Sequence, residues 1–244
     1  MRVAALADIH GNLPALEAVL ADVEREKPDL IVFCGDVASG PMPAETIDLL
    51  RTMKDARFVR GNADRGLIEA FDGHPLPEMP GPYADWAAAQ LDRSQRDFLA
   101  GFESTVQLDR LLFCHAVPAN DTDVFTVETP DDRVSELMRG VDADIVVCGH
   151  THMQFDRKAG RLRIINPGSV GMPYGEPGAY WATLDGDVVI HRRTDYDREG
   201  AAQRIRAKDW KDAEQFAREN VISVPSKEQA MEFMRKMEAK QALR

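Results

Sequence analysis

The sequence predicts an α/β fold, and three features carry that prediction. Short runs rich in Val, Ile, Leu and Phe alternate with segments of helical periodicity over the first two hundred residues, the rhythm of layered strands and helices. Several of those runs end in Asp, His or Asn, as parallel strands do when their carboxyl ends supply residues to one sheet edge. Two late runs flank Asp185-Gly186-Asp187, a hairpin signal that adds an antiparallel section of sheet.

Taken in order, residues 3–7, 30–34, 57–59, 111–114, 145–148 and 162–165 read as buried strands. Between the first two, Leu13, Leu16, Leu20 and Val23 have helical spacing, and Pro14 suits the first turn of a helix that follows Asn12. Further helices are expected at about 44–53, 84–100 and 131–139, and the late hairpin strands at 180–184 and 188–192. Residues 74–83 hold Pro75, Pro77, Pro80 and Pro82 and are expected to be loop. Residues 116–130 are polar and interrupted, directly after a strand end. Loops in such places select substrates in α/β enzymes, and 72–86 and 116–130 are expected to do so here. Further on, Ser226 and Gln229 form a capping box, and Ala230, Phe233, Met234 and Met237 make one apolar stripe. The chain thus reads as a domain over 1–200 and a helical extension over 201–244. That extension docks on its own domain or reaches a second subunit in a homodimer.

A chain of 244 residues can bury a sizeable single core. With 44% hydrophobic and 29% charged residues it is neither disordered nor fibrous in composition. No stretch approaches the roughly 18 to 20 apolar residues of a membrane span. Asp8 comes too early for a signal peptide, so a cytoplasmic location is expected. Cys34, Cys114 and Cys148 sit in separate apolar runs without Cys-x-x-Cys spacing, which reads as reduced core thiols. Net charge is −11, although residues 201–244 carry ten Lys/Arg against seven Asp/Glu. The acidity of the first two hundred residues concentrates cations and gives no support to a nucleic-acid partner.

The chemistry lies in where the polar residues fall. Four apolar runs end in Asp8-Ile9-His10, Asp36, His115 and His150-Thr151-His152, and a fifth ends in Gly61-Asn62. Converged at one sheet edge, these give an Asp, His and Asn donor set without thiolate, suited to divalent transition ions. Seven ligands exceed one ion, whereas two ions sharing a carboxylate catalyse phosphoryl displacement. Taken singly all members but His150-Thr151-His152 are ordinary: Asp-x-His can be a cap and a core histidine, and Gly-Asp and Gly-Asn are turn dipeptides. His150 and His152 share one face of an extended strand or, after a glycine, splay onto adjacent metals. His74 and His191 fall outside the set and are assigned to surface or packing.

Asp8-Ile9-His10-Gly11-Asn12, Gly35-Asp36, Gly61-Asn62, His115 and Gly149-His150-Thr151-His152 stand in the order and spacing of the calcineurin-like metallophosphoesterase superfamily, which the chain resembles. Asn166-Pro167-Gly168-Ser169-Val170-Gly171 resembles a segment of its small bacterial and archaeal phosphodiesterase branch. The resemblance implies a four-layer α-β-β-α sandwich of two mixed β-sheets flanked by helices, here with a C-terminal helical extension. It implies that Asp8, His10 and His152 hold a first metal, that Asp36 bridges, and that Asn62, His115 and His150 complete a second. A hydroxide held between two divalent cations is the implied nucleophile, Mn²⁺ being favoured, with Fe, Zn or Ni accepted.

One position departs from the best-known members, whose Gly-Asn motif continues with a His that acts near the leaving group. Here Ala63-Asp64 follows, and Ala63 can neither donate a proton nor stabilise charge. Asp64 either orients a ligand or partner, which makes it a catalytic candidate beside Asn62 and His115, or caps a helix. Candidate substrate contacts are Asn12, Arg60, Arg65, Gly168 and Ser169, through arginine–phosphate pairing and backbone N–H groups near 166–171. The expected activity is metal-dependent phosphodiester hydrolysis. Phosphomonoester, phosphoprotein or dinucleoside polyphosphate hydrolysis is the alternative. A scaffold on the same fold is a third reading, whose mark is loss of metal ligands; all seven are present.

Overall fold

Strand alternation builds the layers. The computed structural model describes residues 1–74 and 83–242; Pro75, Pro77, Pro80 and Pro82 of the expected loop lie outside them. The elements begin β1 (Arg2–Leu6), α1 (Leu13–Glu26), β2 (Leu30–Cys34), α2 (Pro43–Arg51), β3 (Ala56–Val59) and α3 (Asn62–Phe71). They continue with α4 (Ala84–Ala88), α5 (Arg93–Ala100), β4 (Thr105–Leu108), β5 (Leu111–Cys114), α6 (Asp131–Leu137) and β6 (Ile145–Val147). Next come β7 (Phe155–Ala159), β8 (Leu162–Asn166), β9 (Ala179–Asp185) and β10 (Val188–Thr194). The chain ends in α7 (Arg198–Arg206), α8 (Ala213–Phe216), a π-helical stretch (Ala217–Ile222) and α9 (Lys227–Gln241).

One sheet has the order β10-β9-β1-β2-β3, the other β4-β5-β6-β8-β7. Each has three adjacent parallel strands; in the first the antiparallel hairpin β9–β10 extends them on one side, and in the second β4 and β7 pair antiparallel at the two edges. Successive side chains of a strand point to opposite faces. Val3 and Ala5 enter a core shared with Val147 and Ile165 of the other sheet. Ala4 and Leu6 pack instead with Leu16 and Val19 of α1. On the far side, Leu112, Val146 and Ile164 join Val134 of α6. Helix, sheet, sheet and helix are thus the four layers. All three cysteines are free and buried.

Several elements differ from the expectation for physical reasons. β4 and β7 are edge strands, and Phe155-Asp156-Arg157-Lys158-Ala159 buries only its ends, too little apolar signal to read as a strand. α3 starts at Asn62 and carries Gly66. The expected helix over 84–100 is split, because Asp92 accepts from Gln95 N and starts α5 with its own capping box. Position 200 falls inside α7, whose Ala201, Ala202 and Ile205 pack with Trp210 and Phe216. No described helix is long and apolar enough to cross a membrane.

The parallel strands point the same way, so loops after β1, β2, β3, β5 and β6 meet at one edge. These loops fit backbone to backbone: a Cβ on Gly171 would lie 1.8 Å from Ile9 O. Gly171→Ala is therefore expected to lower unfolding free energy by about 2 kcal/mol, as overpacking does. Urea denaturation measures this; a loss under about 0.5 kcal/mol would show that the contact yields.

Candidate metal centre

Each of the seven expected ligands lies just past the carboxyl end of a parallel strand. Asp8 and His10 follow β1, Asp36 follows β2, Asn62 opens α3 after β3, His115 follows β5, and His150 and His152 follow β6. Five of them hold left-handed backbone, with φ 55° at Asp8, 47° at His10, 56° at Asp36, 69° at His150 and 60° at His152. Asn, Asp and His visit this region more readily than other non-glycine residues. The β1–β2 pairing extends into the loops to hold it: Asp8 N donates to Gly35 O at 3.0 Å and His10 N to Asp36 O at 2.9 Å. Two glycines give the side chains room. A Cβ on Gly35 would sit 2.6 Å from His115 Nδ1, and one on Gly61 would sit 2.1 Å from Asp36 Oδ1.

The side chains form two groups, Asp8 with His10 and His152, and Asp36 with His115 and His150, the donor atoms of each lying within 4.8 Å of one another. Asp36 Oδ2 faces both: it is 3.4 Å from His115 Nε2 and 3.7 Å from His10 Nε2. Its Oδ1 accepts from Ala63 N at 2.7 Å. Asn62 Oδ1 lies 3.0 Å from His115 Nε2 and 3.0 Å from His150 Nδ1.

Backbone carbonyls decide which ring nitrogen turns inward. His10 Nδ1 meets Ser39 O at 3.2 Å, His115 Nδ1 meets Cys34 O at 2.8 Å and His152 Nδ1 meets Met172 O at 2.8 Å. A carbonyl only accepts, so each Nδ1 carries the proton. His150 is reversed, its Nε2 donating to Thr122 O at 3.2 Å. In the neutral rings the inward nitrogens are lone pairs. His10 Nε2 and His152 Nε2 then stand 3.3 Å apart with no hydrogen between them. Converging lone pairs and carboxylates of this kind suit a divalent cation in each group, and the imidazole–carboxylate–amide set suits Mn, Fe, Zn or Ni.

Burial opposes charge on every one of these rings. It holds His10 below its usual value and pushes His150 down to about 4, with His115 adding to the effect on His150. At the other two rings carboxylates outweigh it: Asp36 pushes His115 up to about 10, and Asp8 raises His152. Burial also opposes ionisation of Asp36, but His115, then His10 and His150, hold its carboxyl well below the usual range. In each group the carboxylate thus favours positive charge at a facing ring, the electrostatics that suit a cation.

Residues 1–187 match the family described as the calcineurin-like phosphoesterase superfamily domain. The chain belongs to that superfamily. Its members depend on two metals, in accord with the two donor groups here. Protein MJ0912 of Methanocaldococcus jannaschii is 26% identical over 226 residues, which cover 83% of this chain and 91% of that one. Phosphodiesterase YfcE of Escherichia coli K12 is 27% identical over 199 residues, covering 78% and 90%. The crystal structure of a metallophosphoesterase from Sphaerobacter thermophilus matches with TM-score 0.68 at 24% identity, covering 84% of this chain and 93% of that one, a likeness of fold.

In this member of the superfamily several of the expected substrate contacts bond to the scaffold. Asn12 is fully buried; its Oδ1 caps α1 through Ala15 N at 3.4 Å, and its Nδ2 donates to Gly171 O at 3.0 Å. The N–H groups expected to cradle phosphate near 166–171 are also committed. Gly168 N donates to Asn166 Oδ1, Val170 N to Ala7 O and Gly171 N to Asp8 O. Ser169 Oγ donates to Asp8 O at 2.7 Å. The segment therefore clamps the backbone that carries Asp8. Arg65 makes a two-pronged pair with Asp121 at 2.7 and 2.9 Å. It and Arg60 line a cavity that reaches His115, while neither borders the one over the metal groups.

Asp64 combines the two roles that the sequence left open. It is fully buried and accepts from Asp36 N at 2.8 Å, Val37 N at 2.9 Å and Gly61 N at 2.9 Å. The last bond caps α3; the other two fix the loop that presents Asp36. Burial, with Asp36 adding, pushes its carboxyl up to about 7, against the opposing N–H bonds from Gly61 and Val37.

The main feature missed in the sequence is the cover. A cavity of about 220 Å³ over His10, Asp36, Asn62, His150 and His152 is bordered by Phe233, Met234 and Met237 of α9. Gln241 fastens this helix, accepting from Val124 N and donating to Thr122 O, each at 2.7 Å. The stripe in the sequence showed that α9 buries a face but not what it faces.

Asp64→Ala is expected to destabilise the metal-free protein by about 3 kcal/mol or more, because each orphaned buried N–H costs about 1–3 kcal/mol. Urea unfolding in chelator reads this. A loss under about 1 kcal/mol would show that the three bonds do not fix the loops.

Proposed function

We propose that the chain is a metal-dependent phosphodiesterase for small diesters. The observation that carries this reading is the pair of imidazole–carboxylate groups that share Asp36 Oδ2 beside the methyl group of Ala63. When bound, two divalent ions, Mn²⁺ by preference, polarise phosphoryl oxygens and make water acidic enough to attack phosphorus. Asp8, His10 and His152 would hold one ion and Asn62, His115 and His150 the other, with Asp36 facing both.

The chain's own residues set the rest. The carbonyls of Ser39, Cys34, Met172 and Thr122 lock the four imidazoles so that none swings away as charge builds up. Water adds to phosphorus, the P–O bond to one ester group breaks, and the leaving oxygen takes up a proton. Ala63 supplies no proton there, so esters whose leaving group departs with little help are favoured. The apolar cover from α9 suits an uncharged organic group on phosphorus, and the narrow cavity suits small diesters over polymers. The relative YfcE, named a phosphodiesterase, supports the same class.

Chelator should abolish turnover and Mn²⁺ restore it, with bis(p-nitrophenyl) phosphate cleaved faster than p-nitrophenyl phosphate; faster monoester turnover would overturn the reading. Asp36→Asn and His150→Ala should each fall below about 1% of parent activity, since loss even of outer partners of a metal ligand costs 10–100-fold. Metal analysis of the parent should give two ions per chain, and near-parent turnover in either variant would reject the assignment of ligands.

A further inference from the structure

Beside the metal groups lies a second cavity of about 460 Å³, larger than the one above them. His152 and Tyr174 line both, so the cavities meet at that pair. Tyr174 stacks on the His152 ring, centroids 5.6 Å apart and planes 23° from parallel. The aromatic lining continues with Tyr180 and Phe155, and Met231 of α9 borders it. Small-molecule pockets are commonly roughly 300 to 1,000 Å³, so this one holds a group of nucleoside size. Tyrosine faces stack on any flat ring, and a thioether adapts to its edge.

The charges in the cavity point the same way. Arg193 is paired with Glu176 at 2.5 Å and Asp195 at 3.1 Å, and Glu128 with Arg235 at 3.0 Å. Lys227 also lines the cavity and has no carboxylate partner among the described residues. Its stem crosses Gly175, where a Cβ would lie 2.9 Å from Lys227 Cγ and 3.0 Å from Cε. Gly175 has φ +90°, a second reason for glycine there. The cavity therefore offers aromatic side chains and an ammonium without a carboxylate partner among the described residues, beside the metal groups.

We infer that this cavity is the subsite for the organic group of the phosphate ester, and that it takes a flat aromatic group of nucleobase size. With phosphorus at the metal groups, an ester oxygen leads past His152 and Tyr174, the ring lies along the tyrosine faces, and its electronegative edge meets Lys227. An aliphatic ester leaves those faces unfilled. The subsite rests on the phosphodiesterase reading only for the phosphate seat and for the ester it serves. It also gives the C-terminal extension a positive task, because Lys227 and Met231 belong to α9.

Calorimetric titration of the Mn²⁺-loaded full chain tests this, with thymidine 5′-monophosphate compared with methyl phosphate. The two carry the same phosphate charge and differ in the nucleoside. The parent should bind the thymidine ester about ten-fold more tightly, the worth of one stacked base. Met231→Trp fills the cavity and Tyr174→Ala removes its shared wall; each should shrink the gap to within about two-fold. No gap in the parent, or the same gap in both variants, overturns the subsite. Turnover of bis(p-nitrophenyl) phosphate is read on the same preparations. A parent that shows the gap but cleaves no diester keeps the ring subsite and sinks the phosphodiesterase reading, whereas diester turnover without the gap does the reverse.

Discussion

Three backbone N–H groups from two loops end on the buried carboxylate of Asp64, and the metal groups depend on that junction. Two belong to Asp36 and Val37 after β2, the third to Gly61 after β3. A buried carboxylate is costly unless its oxygens are satisfied, and here the donors are the same groups that would be orphaned without it. Each side of the contact therefore removes the penalty of the other. The outcome is a fixed starting point for the Asp36 side chain, whose Oδ2 faces both histidine groups. A shift there would disturb both groups at once, so the site has one pivot rather than two independent pockets.

The parts of this arrangement that rest on period and punctuation were legible in the sequence. Apolar runs ending in Asp8, Asp36, Asn62, His115 and His150 gave the strands and the shared edge, because a buried parallel strand needs a continuous apolar run and its polar end can only be a loop. β4 and β7 were not legible, since an edge strand half open to water can be built from Thr, Gln, Asp, Arg and Lys. Nor were the roles of Asn12 and Ser169. A buried amide or hydroxyl that holds backbone looks, in one dimension, the same as one that holds substrate. In three dimensions Asn12 Nδ2 donates to Gly171 O and Ser169 Oγ to Asp8 O.

The C-terminal extension shows the same limit from the other side. Its stripe of Ala230, Phe233, Met234 and Met237 predicted a docked face, and Ala230 and Met234 are buried. Which surface receives a helix is set by three-dimensional complementarity, and the surface here is the rim of the metal site. Gln241 and His150 donate to the same Thr122 carbonyl, at 2.7 and 3.2 Å, so the cover and a ligand ring are fastened at one oxygen.

The left-handed backbone at five ligand positions has a consequence for how such a site drifts under mutation. At Asp8, His10, Asp36, His150 and His152 the main chain itself restricts the side chain, because a β-branched residue with positive φ is strained. The residues that tolerate this conformation, Asp, Asn, His and Gly, overlap widely with those that bind hard or borderline cations. Neutral drift at these positions is thereby channelled: the cheapest replacements are other small donors or glycine, so a lost ligand leaves the loop in place and open to reversion.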